Sequence, residues 1–406
     1  MKSSLTVSSP ANPVTGTHAS VVVSPGFLVA SFATVADPRR RQGTRYPLAA
    51  ILALAVVAIL SDCTSVLAIA QFGSDASLAL RHALGFADGK VPRQSTLHRL
   101  FAKLNPDALI AVLAHVCGQV VPPPTVRASQ GVALDGKAQR GRLAADPTAG
   151  TVHSLSAYCH DVGIVLSQAP IAHAPDKAEA ELTVTPAVIA TVDWHNRVLT
   201  GDALFCQRTI CRQVCEAGGD YLILVKANQS TLFSDIRLLF EDPDPAARLT
   251  DRREATTVDD GHGRWADTRH LIASTDLVGY LDWPDHAQVF RYERTWSEKG
   301  ITHQAIRYGI TSLPPPVADA PELLALKRAH WHIENHLHRP KDVDLDEDAS
   351  LVHHAYGPDI LAILRNLGIS LLHYAGITTI AAHLRHLSRH PDEALQLLVD
   401  FSPQNA

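Results

Sequence analysis

The period of the apolar positions changes along the chain, and the changes mark its boundaries. From residue 27 to 120 the spacing is helical. Pro47 opens the apolar run Leu48–Leu60, and Leu67 to Phe72 begins a second helix. Ser95 to Phe101 forms a third, amphipathic one, and Asn105-Pro106 introduces a fourth from Asp107 to about Val116. Val120-Val-Pro-Pro-Pro-Thr125 then reads as a stiff linker. Beyond it, short apolar or alternating runs predict strands at 132–134, 152–158, 163–168, 198–200 and 221–225. Helical spacing at 178–190, with a kink expected at Pro186, and at 206–217 falls between them. Further alternation, as in Gln288–Glu293 and Thr302–Tyr308, predicts a mainly β insertion over 230–320. Helical spacing returns at Leu323–Leu337, with Leu326, Ala329, Ile333 and Leu337 on one face.

The resulting order, β-β-β-α-β-α-β with an insertion before a closing helix, is that of an α/β protein with a ribonuclease H-like mixed sheet core. The expected divisions are a disordered tail at 1–26 and a small helical, DNA-binding domain at 27–120. The catalytic core follows at 126–229, the β insertion at 230–320, the closing helices at 321–380 and a helical tail at 381–406.

Composition adds bounds. A hydrophobic share of 46% and a mean hydropathy of +0.03 over 406 residues fit a globular protein of two or three domains. The run Leu48–Leu60 is too short to span a bilayer, so no membrane partner is expected and a cytoplasmic location is read. Residues 1–26 lack a basic start followed by a compact apolar stretch, which argues against a signal peptide. The six cysteines contain no CxxC pair, which speaks against a zinc ribbon or a secreted disulfide framework. The net charge of −5 hides basic segments: Arg39-Arg40-Arg41 with Arg45, Lys137 with Arg140 and Arg142, and Lys327-Arg328 leading to Arg339 and Lys341. Pro92 to Arg99 reads either as the start of a DNA-reading helix capped by Ser95 or Thr96, or as ordinary bundle packing.

Three acids carry the candidate chemistry. Asp135 ends the apolar run in Gly131-Val-Ala-Leu-Asp-Gly-Lys137, and Asp202 ends the one in Val198-Leu-Thr-Gly-Asp-Ala203. Both carboxylates are therefore expected at strand tips. Glu334, in His330-Trp-His-Ile-Glu-Asn-His336, falls on the closing helix. Such a trio can hold two Mg²⁺ ions about 3.5–4 Å apart for phosphodiester cleavage and transfer. His332 and His336 raise a zinc alternative, but zincin helices read HExxH. Here the acid stands two residues from each histidine, turned about 200° away. Lys327, Glu334 and Lys341 recur every seven residues, which predicts a basic-flanked face for DNA phosphates or a solvated salt-bridge stripe.

Six pieces, in order, resemble the bacterial insertion-sequence DDE transposases of the branch that includes the H-repeat-associated proteins. They are Asp37-Pro-Arg-Arg-Arg-Gln-Gly-Thr-Arg-Tyr-Pro-Leu48, Leu134-Asp-Gly-Lys137 with Arg140-Gly141, and Thr200-Gly-Asp-Ala203 with Gln207. Asp220-Tyr-Leu-Ile-Leu-Val-Lys226 with Asn228-Gln229, Gly261-His-Gly-Arg264, and His330-Trp-His-Ile-Glu-Asn335 with Leu337-His338 and Glu347-Asp348 complete the set. The likeness covers roughly residues 35–375.

The resemblance implies that Asp135, Asp202 and Glu334 are the catalytic, metal-binding acids, with Mg²⁺ as cofactor and Mn²⁺ as substitute. It implies cleavage of element ends and joining of the 3′-OH to target DNA, by a homodimer or higher oligomer assembled on DNA and nucleoid-associated when bound. Lys137, Arg140, Lys226, Arg264, Lys341, Arg39, Arg40 and Arg41 are the candidate DNA contacts. Trp265 and Trp296 are candidates to stack on a flipped base, or to pack in the insertion. The chain departs from its relatives at Arg339-Pro340, at Ala266 and in Lys177-Ala-Glu-Ala-Glu181, and Pro340 is expected to end or kink the glutamate helix early. Two alternatives stay open: a metal-dependent nuclease without strand transfer, and a DNA-binding relative that no longer cuts.

Overall fold

The computed structural model describes residues 26–40, 44–139, 152–171, 177–241, 249–259, 267–298 and 301–403. Six helices come first: α1 (Phe27–Phe32), α2 (Leu48–Leu60), α3 (Val66–Asp75), α4 (Leu78–Ala83), α5 (Gln94–Phe101) and α6 (Pro106–Val120). Helix α2 is apolar on every side, and all its residues except Ala49 are buried. A helix without a polar face has to be covered all round.

Among the described residues nine strands form one sheet. The core strands are β1 (Gln130–Gln139), β2 (Val152–Cys159), β3 (Val165–Ile171), β4 (Arg197–Gly201) and β5 (Asp220–Val225). β1 to β3 form an antiparallel meander, whereas β4 and β5 run parallel to β1. The connecting helices are α7 (Lys177–Ala190), which continues through Pro186, and α8 (Arg208–Glu216). This is the mixed ribonuclease H-like sheet the sequence predicts.

After α9 (Ser230–Glu241), the insertion strands are β6 (Arg253–Asp259), β7 (Asp267–Ser274), β8 (Gln288–Glu298) and β9 (Ile301–Thr311). They do not form a separate β unit. β9 pairs antiparallel with β5, so the sheet order is β3-β2-β1-β4-β5-β9-β8-β7-β6. Gly309 lets β8 and β9 pack closely: Phe290 lies on it from β8, and a Cβ there would stand 2.0 Å from the ring.

The closing segment begins with α10 (Ala320–Ala329), started by a capping box between Asp319 and Glu322. The predicted continuous helix over 323–337 is interrupted. The chain leaves α-helical form after Ala329, makes a π-helical turn over Ile333–His338, and resumes as α11 (Arg339–Val343). Helices α12 (Gly357–Tyr374), α13 (Ile380–Leu387) and α14 (Pro391–Asp400) follow. Among the described residues no single helix is long and apolar enough to cross a membrane.

One hydrophobic core joins α2 and α6 to β1–β3 and to α12. A smaller one, built from Val198, Leu222, Phe290, Leu323 and Leu324, lies between the sheet and α10. The helical segment therefore shares the main core: α2 packs on α12 and α14, and α6 packs on β3.

Candidate active site

The two aspartates stand level with each other because β1 and β4 are parallel. Ala133 pairs with Thr200, and each acid lies two residues beyond that pair. Asp202 sits just past the end of β4, as expected of a strand tip, and its Oδ1 accepts the N–H of Leu204 at 2.9 Å. Asn228 and Gln229, beyond β5, hold the same loop by donating to the carbonyls of Ala203 and Cys206 at 2.8 and 2.9 Å. Asp135 differs from the expectation. β1 continues to Gln139 against β2, so Asp135 lies within the strand, at the point where its pairing with β4 has ended.

Glu334 comes from the π-helical turn. Such turns widen a helix and recur at functional sites. Pro340 supplies a local cause, since it has no N–H for the carbonyl of His336. That carbonyl accepts from His373 Nε2 at 3.0 Å instead. Pro340 does not end the segment, which continues as α11 to Val343.

The turn leaves Glu334 exposed and carries His338 inward, where it is 3% exposed. Ligand atoms of Asp135, Glu334 and His338 lie within 4.8 Å of one another. His338 Nε2 is 3.3 Å from Asp135 Oδ2. Burial pushes the Asp135 carboxyl up, but His338 and His330 outweigh it and hold the group below the usual range. His338 is buried with Nε2 facing the Asp135 carboxylate, and its Nδ1 has no hydrogen-bond partner among the described residues. Two carboxylates and an imidazole therefore fit a divalent cation. Asp202 is not in this group of three, although it stands on the adjacent strand.

His338 is a site residue that the sequence reading missed. Its signal was the four-residue interval from Glu334, the same spacing weighed for His332 and His336 and set aside. His330 was also missed. Its Nδ1 meets Thr200 Oγ1 at 3.1 Å, and the same hydroxyl meets His160 Nε2 at 3.0 Å. Burial and nearby Lys327 push His330 down to about 4, against the pull of Asp135.

The Lys327–Glu334–Lys341 stripe does not exist as a solvated face. Glu334 is exposed, but both lysines are buried. Lys341 Nζ lies 3.2 Å from Glu347, which Arg365 also approaches at 3.6 Å, and all three side chains are at most 2% exposed. Lys341 is thus part of an interior ion network and is not available to a DNA phosphate. Lys137 is buried and paired with Asp342. Arg39 is held by Asp37 at 2.7 Å and by the carbonyl of Tyr46 at 2.8 Å. Arg40 and Lys226 are exposed. Arg41, Arg140, Arg264 and Trp265 lie outside the described residues. Trp296 stacks on His303 at 5.2 Å and carries Arg294 over its ring at 4.9 Å.

Comparison with known proteins agrees with this geometry. The model of the family described as "Transposase DDE domain" matches residues 129–353, and that described as "DDE_Tnp_1-associated" matches residues 29–116. The chain belongs to the DDE transposase family. Among its relatives, an "Uncharacterized protein in dhlA 3'region" of Xanthobacter autotrophicus is 31% identical, over 62% of this chain and 83% of that one. The "Putative transposase YncI" of Escherichia coli O157:H7 is 25% identical over 83% and 85% of the two chains. The "H repeat-associated putative transposase YhhI" of Escherichia coli K12 is 24% identical over 85% and 90%. The DDE transposase match spans β1, β4 and the π-helical turn, and so all three acids.

Proposed function

We propose that the chain is a Mg²⁺-dependent transposase that cuts the ends of an insertion element and joins the freed 3′-OH to target DNA. The observation that carries this reading is the convergence of Asp135 and Glu334, from distant parts of a DDE-family chain, with His338 beside them. Divalent ions held by Asp135, Glu334 and the neighbouring Asp202 would activate the attacking water and stabilise the departing 3′ oxygen. Asp135, close to Glu334 and on the strand beside the one that leads to Asp202, would be the shared ligand. His338 holds its carboxylate in place, and His330 stays neutral at physiological pH. Oxygen-rich ligands favour Mg²⁺, with Mn²⁺ as substitute. Lys226 is exposed at the end of β5, within the same edge of the sheet, and serves as a phosphate contact.

In this reading residues 27–120 hold DNA without cutting it. A groove of about 930 Å³ between the 38–46 segment, α4 and α5 is lined by eight basic side chains and no acidic one. Arg40, Arg45, Lys90, Arg93 and Lys103 are exposed there, with no carboxylate within 4 Å among the described residues. Helix α5 starts at Gln94 with Arg93 at its N-cap and no side-chain cap, so Ser95 and Thr96 lie inside its first turn instead of capping it, and it presents Arg99 to the groove. A duplex supplies phosphates at the density such a surface requires. Reversing Arg45, Lys90 and Arg93 to glutamate in the full chain is expected to abolish duplex binding at moderate salt. Neutralising the same three should lower the salt slope by about 3.

Asp135→Asn tests the catalytic reading, since it keeps size and removes charge. A gel shift and a cleavage assay on one element-end duplex should show retained binding and lost cutting in Mg²⁺. Near wild-type cutting by the variant would remove Asp135 from the mechanism. Cut ends without any joined product, when target plasmid is supplied, would reduce the activity to that of a nuclease. Joined product is also the expected readout of a homodimer or larger assembly bringing two ends together.

A further inference from the structure

Lys327 is left over from the arrangement above. It lies on α10, seven residues before Glu334, and is 6% exposed. Its Nζ sits 5.5 Å from the ring centre of Tyr292. Among the described residues no carboxylate lies within 4 Å of it and no hydrogen bond is made to it, although Asp202 attracts it at longer range. A largely buried cation whose near neighbour is a ring face rather than a carboxylate is costly, and a bound anion would offset that cost.

The surroundings say what that ligand is. Lys327 lines a cavity of about 580 Å³ between α10, the π-helical turn and the insertion strands. Three arginines in its wall already have carboxylate partners, shared between two aspartates: Arg269 and Arg294 meet Asp267 at 2.7 and 2.8 Å, and Arg328 meets Asp259 at 2.8 Å. Arg307 and Lys327 are the wall cations left without a carboxylate among the described residues. The wall also carries the ring of Trp331, which is 59% exposed, beside Tyr292 and a Trp296 already flanked by His303 and Arg294. An anion with a flat apolar part matches this lining, and a nucleotide unit of a DNA strand has both. A carboxylate metabolite would leave the rings unused.

We infer that Lys327 and Arg307 bind one phosphodiester of the DNA strand that enters this cavity, next to the bond cut at the acids. The proposal rests on the transposase reading for its choice of DNA. Lys327 acts as a positioning residue: it fixes where the strand lies and touches no reacting atom. Burial, with Arg307 and Arg269, pushes its amine down to about 8 in the free protein, and a bound phosphate would push it up again.

The test measures binding, so that it stays separate from cutting. Full-length wild type, Lys327→Met and Lys327→Arg are titrated with a labelled 40-base-pair duplex in Ca²⁺ at two salt concentrations. The methionine variant is expected to bind about tenfold or more weakly and to lose about one unit of salt slope, while arginine restores both. Unchanged affinity and slope in the methionine variant overturn the inference, as does a lowered melting temperature with unchanged affinity, which marks a purely structural lysine. Should Lys327→Met fail to fold, acylation of the wild-type amine followed by mass spectrometry decides. Labelling of Lys327 is expected to fall several-fold when duplex is present, and equal labelling refutes the site. Lys327-dependent binding without any cleavage would sink the transposase reading alone. Cleavage with Lys327-independent binding would sink this inference alone.

Discussion

Replacing Glu347 with glutamine removes the only carboxylate that faces two interior cations among the described residues. Lys341 Nζ is 3.2 Å from it and Arg365 Nη1 is 3.6 Å away, with the three side chains at most 2% exposed. Arg365 keeps a single carbonyl, that of Thr64, at 3.0 Å. Breaking a buried pair by deleting one partner costs about 3–5 kcal/mol, because the charge left behind has no solvent. That is about a fifth or more of the roughly 5–15 kcal/mol available to a folded protein. At about 2.1 cal/mol/K per residue of unfolding entropy, it corresponds to a fall in melting temperature of about 4–6 °C. Lys341→Met should cost less, since the Arg365–Glu347 pair survives and methionine retains the packing of the stem. Calorimetry or circular dichroism melts, alongside duplex titrations at two salt concentrations, check both variants. Stability is expected to fall in the order wild type, Lys341→Met, Glu347→Gln, with no change in salt slope. A Lys341→Met protein that melts like wild type but loses one unit of salt slope would refute the reasoning and return Lys341 to the DNA surface.

Lys327→Met should be more stable than wild type at pH 7, because the amine is pushed down to about 8 when folded, against about 10.4 when unfolded. Between those values the unfolded chain binds the extra proton, so wild-type stability rises with pH and the advantage of methionine, up to about 3 kcal/mol, disappears near pH 10; urea titrations at pH 7 and 10 check this. His338→Ala should weaken Mn²⁺ binding by about 10- to 100-fold, read by calorimetric titration, whereas equal affinity would place the ring outside the metal site. Gly309→Val should destabilise by about 1–3 kcal/mol or more, because its side chain enters the space of the Phe290 ring. A melting temperature equal to wild type would mean that the β8–β9 pair tolerates bulk.

The amino-acid sequence by itself determined the local elements and put forward the three acids as candidates. Period-two and fully apolar runs located β1 to β5, and their order was enough for the ribonuclease H-like core, because strand patterning depends on neighbours in the chain. Asp202 at a strand tip was legible for the same reason. Tertiary structure decided the rest. The apolar run of α2 looked like part of an independent helical domain, yet its all-round burial needs α12 and α14, more than 300 residues away in sequence. The insertion looked separate because nothing local reveals that β9 pairs with β5. The charge stripe on the glutamate helix assumed 3.6 residues per turn, whereas Pro340 and His373 impose a π-helical turn that shifts each side chain's direction. That shift is why His338 joins Asp135 and Lys341 turns inward to Glu347. Periodicity fixes a side chain's direction only while the helix is regular, and where a distant residue takes over a backbone carbonyl, the fold sets it.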